Sequence, residues 1–349
     1  MADKWMDELS KYQKQGDLSK KEKAKTWKVA IGLQEVDGLK PSNYLLDLAK
    51  ENIEGNVDFK SVYKNINNYY KESNKRKDKE LNDSKEADIV SVKIAEILSD
   101  NSFTFSPLEL LNIHKKLFSD IYKHAGKVRD YNIVKEEWVL NKDTVIYSSY
   151  DMILDTLNYD FDIEKNFTYK DLSIDETIKH ISRFTSNIWQ IHPFFEGNTR
   201  TCAVFIIKYL RTFGFDINDE MFEKNSWYFR NALVRANYRN IKLNVYENYS
   251  YLEKFFYNLL TDSKYKLRNK YLHISYDEHL DTDIKERSIL LEEQAIINLI
   301  KDNSKIKQEE IALLLNVSLR TVKSKMKVMQ DKGMIKRING KKKSEWIVL

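Results

Sequence analysis

The residues best equipped for chemistry in this 349-residue chain stand together in one run, HPFFEGNTR, at 192–200. His192 is the one group in it able to take up a proton near neutral pH. Glu196 offers hard carboxylate oxygens suited to a divalent cation held beside phosphates. Gly197 permits a close backbone approach, and Arg200 carries a planar fork of donors. The run opens into TCAVFIIKYLRTFG (201–214), a helix whose unpaired N–H groups and dipole favour phosphate at its start.

Two helices must position that loop. Ile174, Ile178, Ile181, Phe184, Ile188 and Ile191 follow one another at steps of three and four, the stripe of one helical face. Ser173 and Glu176 form a capping box at its start. Pro193 ends it, because the residue before a proline is pushed out of the α region. The following helix is apolar on nearly every side and stops at Gly214, which predicts a buried helix. The spacing therefore gives helix, tight loop, buried helix.

The run HPFFEGNTR resembles the signature HxFx(D/E)GNGRxxR of Fic-domain proteins. The likeness extends to IHKKLFSDIYKHAGKVRDYNI (113–133), to a hairpin expected at 136–147 within EEWVLNKDTVIYSSY (136–150), and to the helix pair, over roughly residues 85–262. It implies a mostly α Fic fold with a small β-hairpin flap. It also implies a protein adenylyltransferase that moves AMP from ATP to a Ser, Thr or Tyr hydroxyl of a target protein, itself included. His192 would then be catalytic and deprotonate the hydroxyl, and Glu196 would bind Mg²⁺. Gly197, Asn198 and the backbone of Thr199 would form an anion nest, Arg200 would grip the β-phosphate, and Phe194 would anchor the loop. Thr144, Val145, Ile146 and Tyr147 of the flap would dock the target as an added strand.

The sequence departs from that signature twice. Thr199 stands where the pattern has glycine, and Ala203 where it has a second arginine. The related Doc toxins also lack that glycine and transfer the γ-phosphate, so Doc-like phosphotransfer is one alternative. A DNA-binding regulator with a silent Fic core is another. Arg230 and Arg235, in NSWYFRNALVRANY (225–238), are the candidates to replace the missing phosphate contact.

Composition agrees with a helical chain. Three prolines and nine glycines compare with about 17 and about 24 at average usage. That excludes turn-rich β folds, Gly-loop α/β folds and collagen-like chains. Cys202 is the single cysteine and sits in an apolar run, so it reads as a buried side chain in a reducing compartment. No apolar run is long enough to cross a bilayer, and the start MADKWMDELS lacks a signal-peptide core. The expected location is the cytoplasm, with no membrane partner. His114 falls on the apolar face of a helix and reads as core, and His279 as part of a solvated acidic patch.

Residues 1–84 read as an N-terminal helical region: a polar arm over 1–26, short helices, and a charged connector at 74–86. Within it AIGLQEVDGLKPS (30–42) resembles the helix that blocks the ATP site in many Fic proteins. Asp37 is the best candidate for the blocking carboxylate and Glu54 the second, although the arginine they would pair with is absent.

A polar connector over 263–288 leads to a basic segment. Residues 291–349 hold 13 Lys/Arg against 7 Asp/Glu. The pattern over 289–349 is three helices and a hairpin with the basic tip NGKKK, a winged helix-turn-helix. The third helix, capped by Ser318, turns Val322, Met326 and Met329 inward. Arg320, Thr321, Lys323, Ser324 and Lys327 then face outward to DNA phosphates and base edges. The expected partners are thus ATP, a target protein, DNA and a second copy of the chain.

Overall fold

Helices form the frame around the site. The computed structural model describes residues 18–73, 79–215, 217, 219–276, 293–315, 317–338 and 345–349. It divides into two units after Ser275. The first contains α1 (Leu18–Gly32), a 3₁₀ turn (Leu33–Asp37), α2 (Asn43–Glu54), α3 (Phe59–Ser73), α4 (Lys79–Ser99) and α5 (Pro107–Phe118). It continues with α6 (Ile153–Asn166), α7 (Ile174–Ile191), α8 (Asn198–Thr212), α9 (Asp219–Ala236) and α10 (Ser250–Leu260).

The helix pair forms as its spacing requires. The Ser173 side chain accepts from the Glu176 N–H, and the Glu176 carboxylate accepts from the Ser173 N–H. The helix ends at His192, whose φ/ψ of 49°/59° is left-handed. Every residue of α8 from Asn198 to Leu210 is buried. Phe103, Phe105, Phe161 and Phe184 pack around its Phe205 and Tyr209.

The N-terminal helices belong to the same core. α1 packs against both α4 and α9. Its Trp27 and Ala30, and Leu33 just beyond it, are wholly buried. Lys28 and Glu223 form a buried ion pair across α1 and α9. A Cβ on Gly32 would stand 2.4 Å from the Glu223 Cα, so glycine is what lets these helices touch. Asp88 of α4 accepts from the Ser42 backbone and hydroxyl and from the Tyr70 hydroxyl. The connector expected over 74–86 is helical from Lys79 onward; 74–78 and the arm over 1–17 lie outside the described residues.

The flap is a correction. Residues 136–150 hold a 3₁₀ turn, Trp138–Leu140, and then an extended run, with no paired strands among the described residues. The chain does reverse: the Glu137 N–H donates to the Asp143 carbonyl, and Asn141 and Lys142 both take positive φ. Val139, Leu140, Val145 and Tyr147 are buried.

The second unit is built on a helix over 293–302, here α11, followed by α12 (Gln308–Leu314), α13 (Leu319–Asp331), β1 (Ile335–Ile338) and β2 (Glu345–Val348). Ile296, Ile300, Ile311, Val322, Met326, Met329, Ile335 and Trp346 form its core. β1 and β2 are antiparallel, Ile335 opposite Val348. The NGKKK tip and residues 277–288 of the connector, with the acidic patch around His279, fall outside the described residues. Among the described residues no helix is long and apolar enough to cross a membrane.

Candidate active site

The loop between α7 and α8 is held from inside. Asn198 clamps it, accepting from the Phe194 N–H at 2.9 Å and donating to the Phe194 carbonyl at 2.8 Å. Phe194 is 1% exposed and stacks on His114, ring centroids 3.7 Å apart. His114 receives the Gly126 N–H at Nδ1, 2.8 Å, and its Nε2 lies 3.0 Å from the Glu196 carbonyl. A carbonyl only accepts, so Nε2 carries the proton. Gly197 has φ 76°, and a Cβ there would stand 2.4 Å from the Phe118 ring. Its missing side chain is thus required by Phe118 as well as by the backbone turn.

Arg129 fixes the loop from the other end. Its guanidinium donates to the carbonyls of His192, Tyr131, Ile191 and Ser148, and its backbone N–H to the Pro193 carbonyl. The carbonyls of Ile191, His192 and Pro193 among them are those left unpaired at the end of α7.

His192 is 4% exposed and its ring lies 4.3 Å from that of Tyr147. Nδ1 is 3.2 Å from the Trp189 carbonyl and so must donate to it. Nε2 then carries the lone pair and meets no hydrogen-bond partner among the described residues. Burial, reinforced by the cations Lys135, Arg230 and Arg129, pushes the imidazole well below its ordinary range. It is a neutral base at physiological pH.

At the start of α8 the backbone N–H groups of Glu196, Gly197, Asn198, Thr199 and Arg200 reach no acceptor among the described residues. This crown can receive an anion. Thr199 does not obstruct it through its hydroxyl, because Oγ1 accepts the buried Trp189 indole N–H at 2.9 Å. Glu196 stands at the rim, its side chain 55% exposed, with Lys135 Nζ 2.9 Å from Oε2. No cluster of three or more His, Cys, Asp or Glu is placed to hold a metal among the described residues.

Arg200 is the most constrained of the expected site residues. It is 1% exposed and lies over the Phe118 ring. Nη1 donates to Gln34 at 3.0 Å and Nη2 to Glu86 at 2.6 Å. Nε sits 2.7 Å from Asp37 Oδ2, a close ion contact that is off axis for a hydrogen bond. Tyr122 also donates to Glu86. Asp37 thus meets the first motif arginine rather than a residue at 203, where Ala203 is buried. Glu54 pairs instead with Lys20, at the far end of α1, about 20 Å along the helix axis.

Of the two replacement arginines one is engaged, and the other is buried with Nε and Nη1 lacking a hydrogen-bond partner among the described residues. Arg230 is bidentate on the buried Glu137 of the flap, at 2.6 and 3.0 Å, and the Tyr147 hydroxyl reaches the same carboxylate at 3.4 Å. Arg235 is buried in the last turn of α9. Along the expected docking edge, Val145 and Tyr147 point inward and Ile146 is 81% exposed. Thr144 Oγ1 accepts the Lys135 N–H. The Ile146 carbonyl is taken by Gln190. Thr144, Ile146, Gln190, Tyr238 and Ile241 border an open groove of about 700 Å³.

In the second unit Arg320, Lys323, Ser324 and Lys327 are exposed on α13. Thr321 is half-buried, its N–H and hydroxyl held by Ser318 at the helix start.

Arg129, His114, Gln34, Glu86, Lys135 and Glu137 shape the site without having been singled out for it. Arg129 and Lys135 lie in irregular backbone, where no periodicity marks them. Glu86 stood in a charged stretch that reads as solvated until α4 is seen to bring it to Arg200.

Residues 104–210 match the model of the Fic/DOC family, and residues 293–336 match a winged helix-turn-helix DNA-binding model. The chain therefore contains a Fic/DOC-family domain followed by a winged helix-turn-helix domain. Over 131 residues it is 29% identical to the protein adenylyltransferase VbhT of Bartonella schoenbuchensis, covering 38% of this chain but 26% of that one. It is 26% identical over 142 residues to the probable protein adenylyltransferase y4lH of Sinorhizobium fredii, covering 40% of this chain and 69% of the relative. Among solved structures it is similar to the N-terminal FIC domain of Bep8 from Bartonella sp. 1-1C, with 17% identity, 49% and 81% of the two chains covered and a TM-score of 0.39. A Fic family protein of Desulfovibrio desulfuricans gives 12% identity, coverage of 99% and 94% and a TM-score of 0.44.

Proposed function

We propose that this protein is a Fic-type adenylyltransferase acting on a hydroxyl of a target protein, held back by its own N-terminal helices. The observation that carries the reading is one loop bearing an imidazole with a free, unprotonated Nε2 and a crown of unpaired N–H groups at a helix start.

The target hydroxyl is presented along Thr144–Tyr147 and loses its proton to His192 Nε2. Its oxygen attacks the α-phosphorus of ATP, a P–O bond forms there, and the bond to the bridging oxygen of pyrophosphate breaks. The N–H crown binds phosphate oxygens. Glu196 is a half-exposed hard oxygen donor with one exchangeable lysine partner. That fits Mg²⁺, which keeps most of its water and takes one or two carboxylates plus phosphates. When bound, Mg²⁺ supplies charge neutralisation to the leaving pyrophosphate.

Arg200 can grip a phosphate only after it leaves Asp37 and Glu86, so these two carboxylates act as the restraint. The C-terminal unit binds duplex DNA through the exposed face of α13, which would bring the enzyme to a nucleic-acid site.

The test is incubation of the full chain with α- and γ-labelled ATP, with candidate targets and without. Label should pass from α-labelled ATP only, and His192→Ala should abolish it. Transfer from γ-labelled ATP would instead establish phosphotransfer. No transfer in either case, with specific DNA retention, would leave a regulator with a silent catalytic core.

A further inference from the structure

Four cationic side chains stand against the motif loop, and three of them are committed. Arg129 spends its guanidinium on four backbone carbonyls. Arg200 is buried among Asp37, Gln34 and Glu86. Arg230 is bidentate on buried Glu137. Moving any of these leaves a buried charge or carbonyl without its partner, at a cost well above that of an exposed pair.

Lys135 differs in each respect. Its side chain is 25% exposed, and the described structure gives its ammonium one partner, the 55% exposed Glu196 carboxylate. Such pairs contribute little to stability and exchange readily. Its backbone is nonetheless fixed, because the N–H donates to Thr144 Oγ1 at 3.2 Å. A tethered Cα and a flexible four-carbon stem place a mobile ammonium at the rim of the N–H crown. Glu196 is also the carboxylate best suited to Mg²⁺, so lysine and metal compete for the same oxygens. An incoming Mg²⁺–nucleotide brings the cation that Glu196 takes and the polyphosphate that the released ammonium needs.

We propose that Lys135 is a further polyphosphate-binding residue of this site: it guards Glu196 in the resting protein and transfers to the outer phosphates of a nucleoside triphosphate when the metal arrives. The inference rests on the adenylyl-transfer reading above. It makes Lys135 a determinant of preference for triphosphates over monophosphates.

The experiment is calorimetric titration of ATP and of AMP, each with Mg²⁺, into the full chain carrying Asp37→Ala, which removes one of the two carboxylates held by Arg200. The same titrations follow with Lys135→Met and Lys135→Arg added. In the parent, ATP should bind at least about tenfold more tightly than AMP. Lys135→Met should weaken ATP by about tenfold, the scale of one charge-assisted hydrogen bond, and leave AMP within about twofold. Lys135→Arg should restore most of the ATP affinity. An unchanged ATP-to-AMP ratio in Lys135→Met overturns the assignment while leaving adenylyl transfer standing. Equal losses for ATP and AMP would mean that Lys135 only supports the loop, and would overturn it too. A parent that binds neither nucleotide brings down the adenylyl-transfer reading and this inference with it.

Discussion

Asp37 Oδ2 lies 2.7 Å from Arg200 Nε, joining the turn after the first described helix to the first turn of the motif helix. Asp37 is a third exposed at its side chain, whereas Arg200 is 2% exposed. Removing Asp37 therefore leaves Arg200 still paired with Glu86 and Gln34, and the fold should survive. Asp37→Ala is expected to raise transfer from α-labelled ATP by about five- to 150-fold, the usual span of a coupling free energy of about 1–3 kcal/mol. Glu86→Gln should act in the same direction. Unchanged initial rates in both variants would remove the restraint from the mechanism. Truncating residues 1–73 is a poor test, because Trp27, Ala30 and Leu33 are core residues.

The pH dependence of the reaction follows from His192. Burial holds its imidazole well below the ordinary value near 6.5, so the base is neutral throughout the physiological range. The rate should be flat between about pH 6.5 and 8, with its acid limb below. A pH–rate profile with a midpoint at or above 6.5 would contradict the assignment of His192 as the base.

His114 should make the fold acid-sensitive. Burial pushes it down to about 4, and protonating Nδ1 would evict the Gly126 N–H. The folded value lies below the unfolded one, so this contribution is complete above about pH 6.5 and is lost as pH falls toward 4. The loss is about 3 kcal/mol. Urea midpoints at pH 7 and 4.5, with an NMR titration of the ring proton, measure it. An imidazole titrating near 6.5 would refute it.

Gly197→Ala should destabilise by about 3 kcal/mol, combining a left-handed backbone with a contact of 2.4 Å to Phe118. Thermal unfolding reports the change. A variant as stable as the parent would mean that the loop can rearrange around Phe118.

Thr199→Gly restores the residue of the family pattern, yet it should cost about 1–3 kcal/mol, because the Trp189 indole N–H loses its acceptor at 1% exposure. Thr199→Ser should be nearly neutral. Equal melting temperatures for the glycine and serine variants would contradict this role.

DNA binding by α13 should be salt-dependent. Lys327→Ala should weaken retention of any duplex and reduce the slope of log affinity against log salt by about one. A slope unchanged by Lys327→Ala and by Arg320→Ala would move the interface elsewhere.

Much of this was legible in the amino-acid order because it is local. The helix from Ser173 to His192 is written in a cap, a stripe and a proline stop, interactions that span three or four residues. The burial of the following helix and the inward set Val322, Met326 and Met329 come from the same short-range periodicity. The motif residues are legible because five of them lie within one loop.

What the order of residues left open depends on contacts between distant segments. Asp37 and Glu54 are similar acids near glycines; only the packing of α1 on α4 and α9 carries Asp37 to Arg200 and leaves Glu54 with Lys20. Thr199 reads only as a departure from the family pattern until its hydroxyl is found on Trp189. The flap pattern reads as paired strands, whereas the described segment is a 3₁₀ turn and a chain reversal closed by the Glu137 N–H on the Asp143 carbonyl. Local periodicity decides which face of an element is buried, whereas the partner of a charged side chain is chosen by which helices the core brings together. That is why the chemistry of the loop can be read from the chain, and the restraint on Arg200 only from the fold.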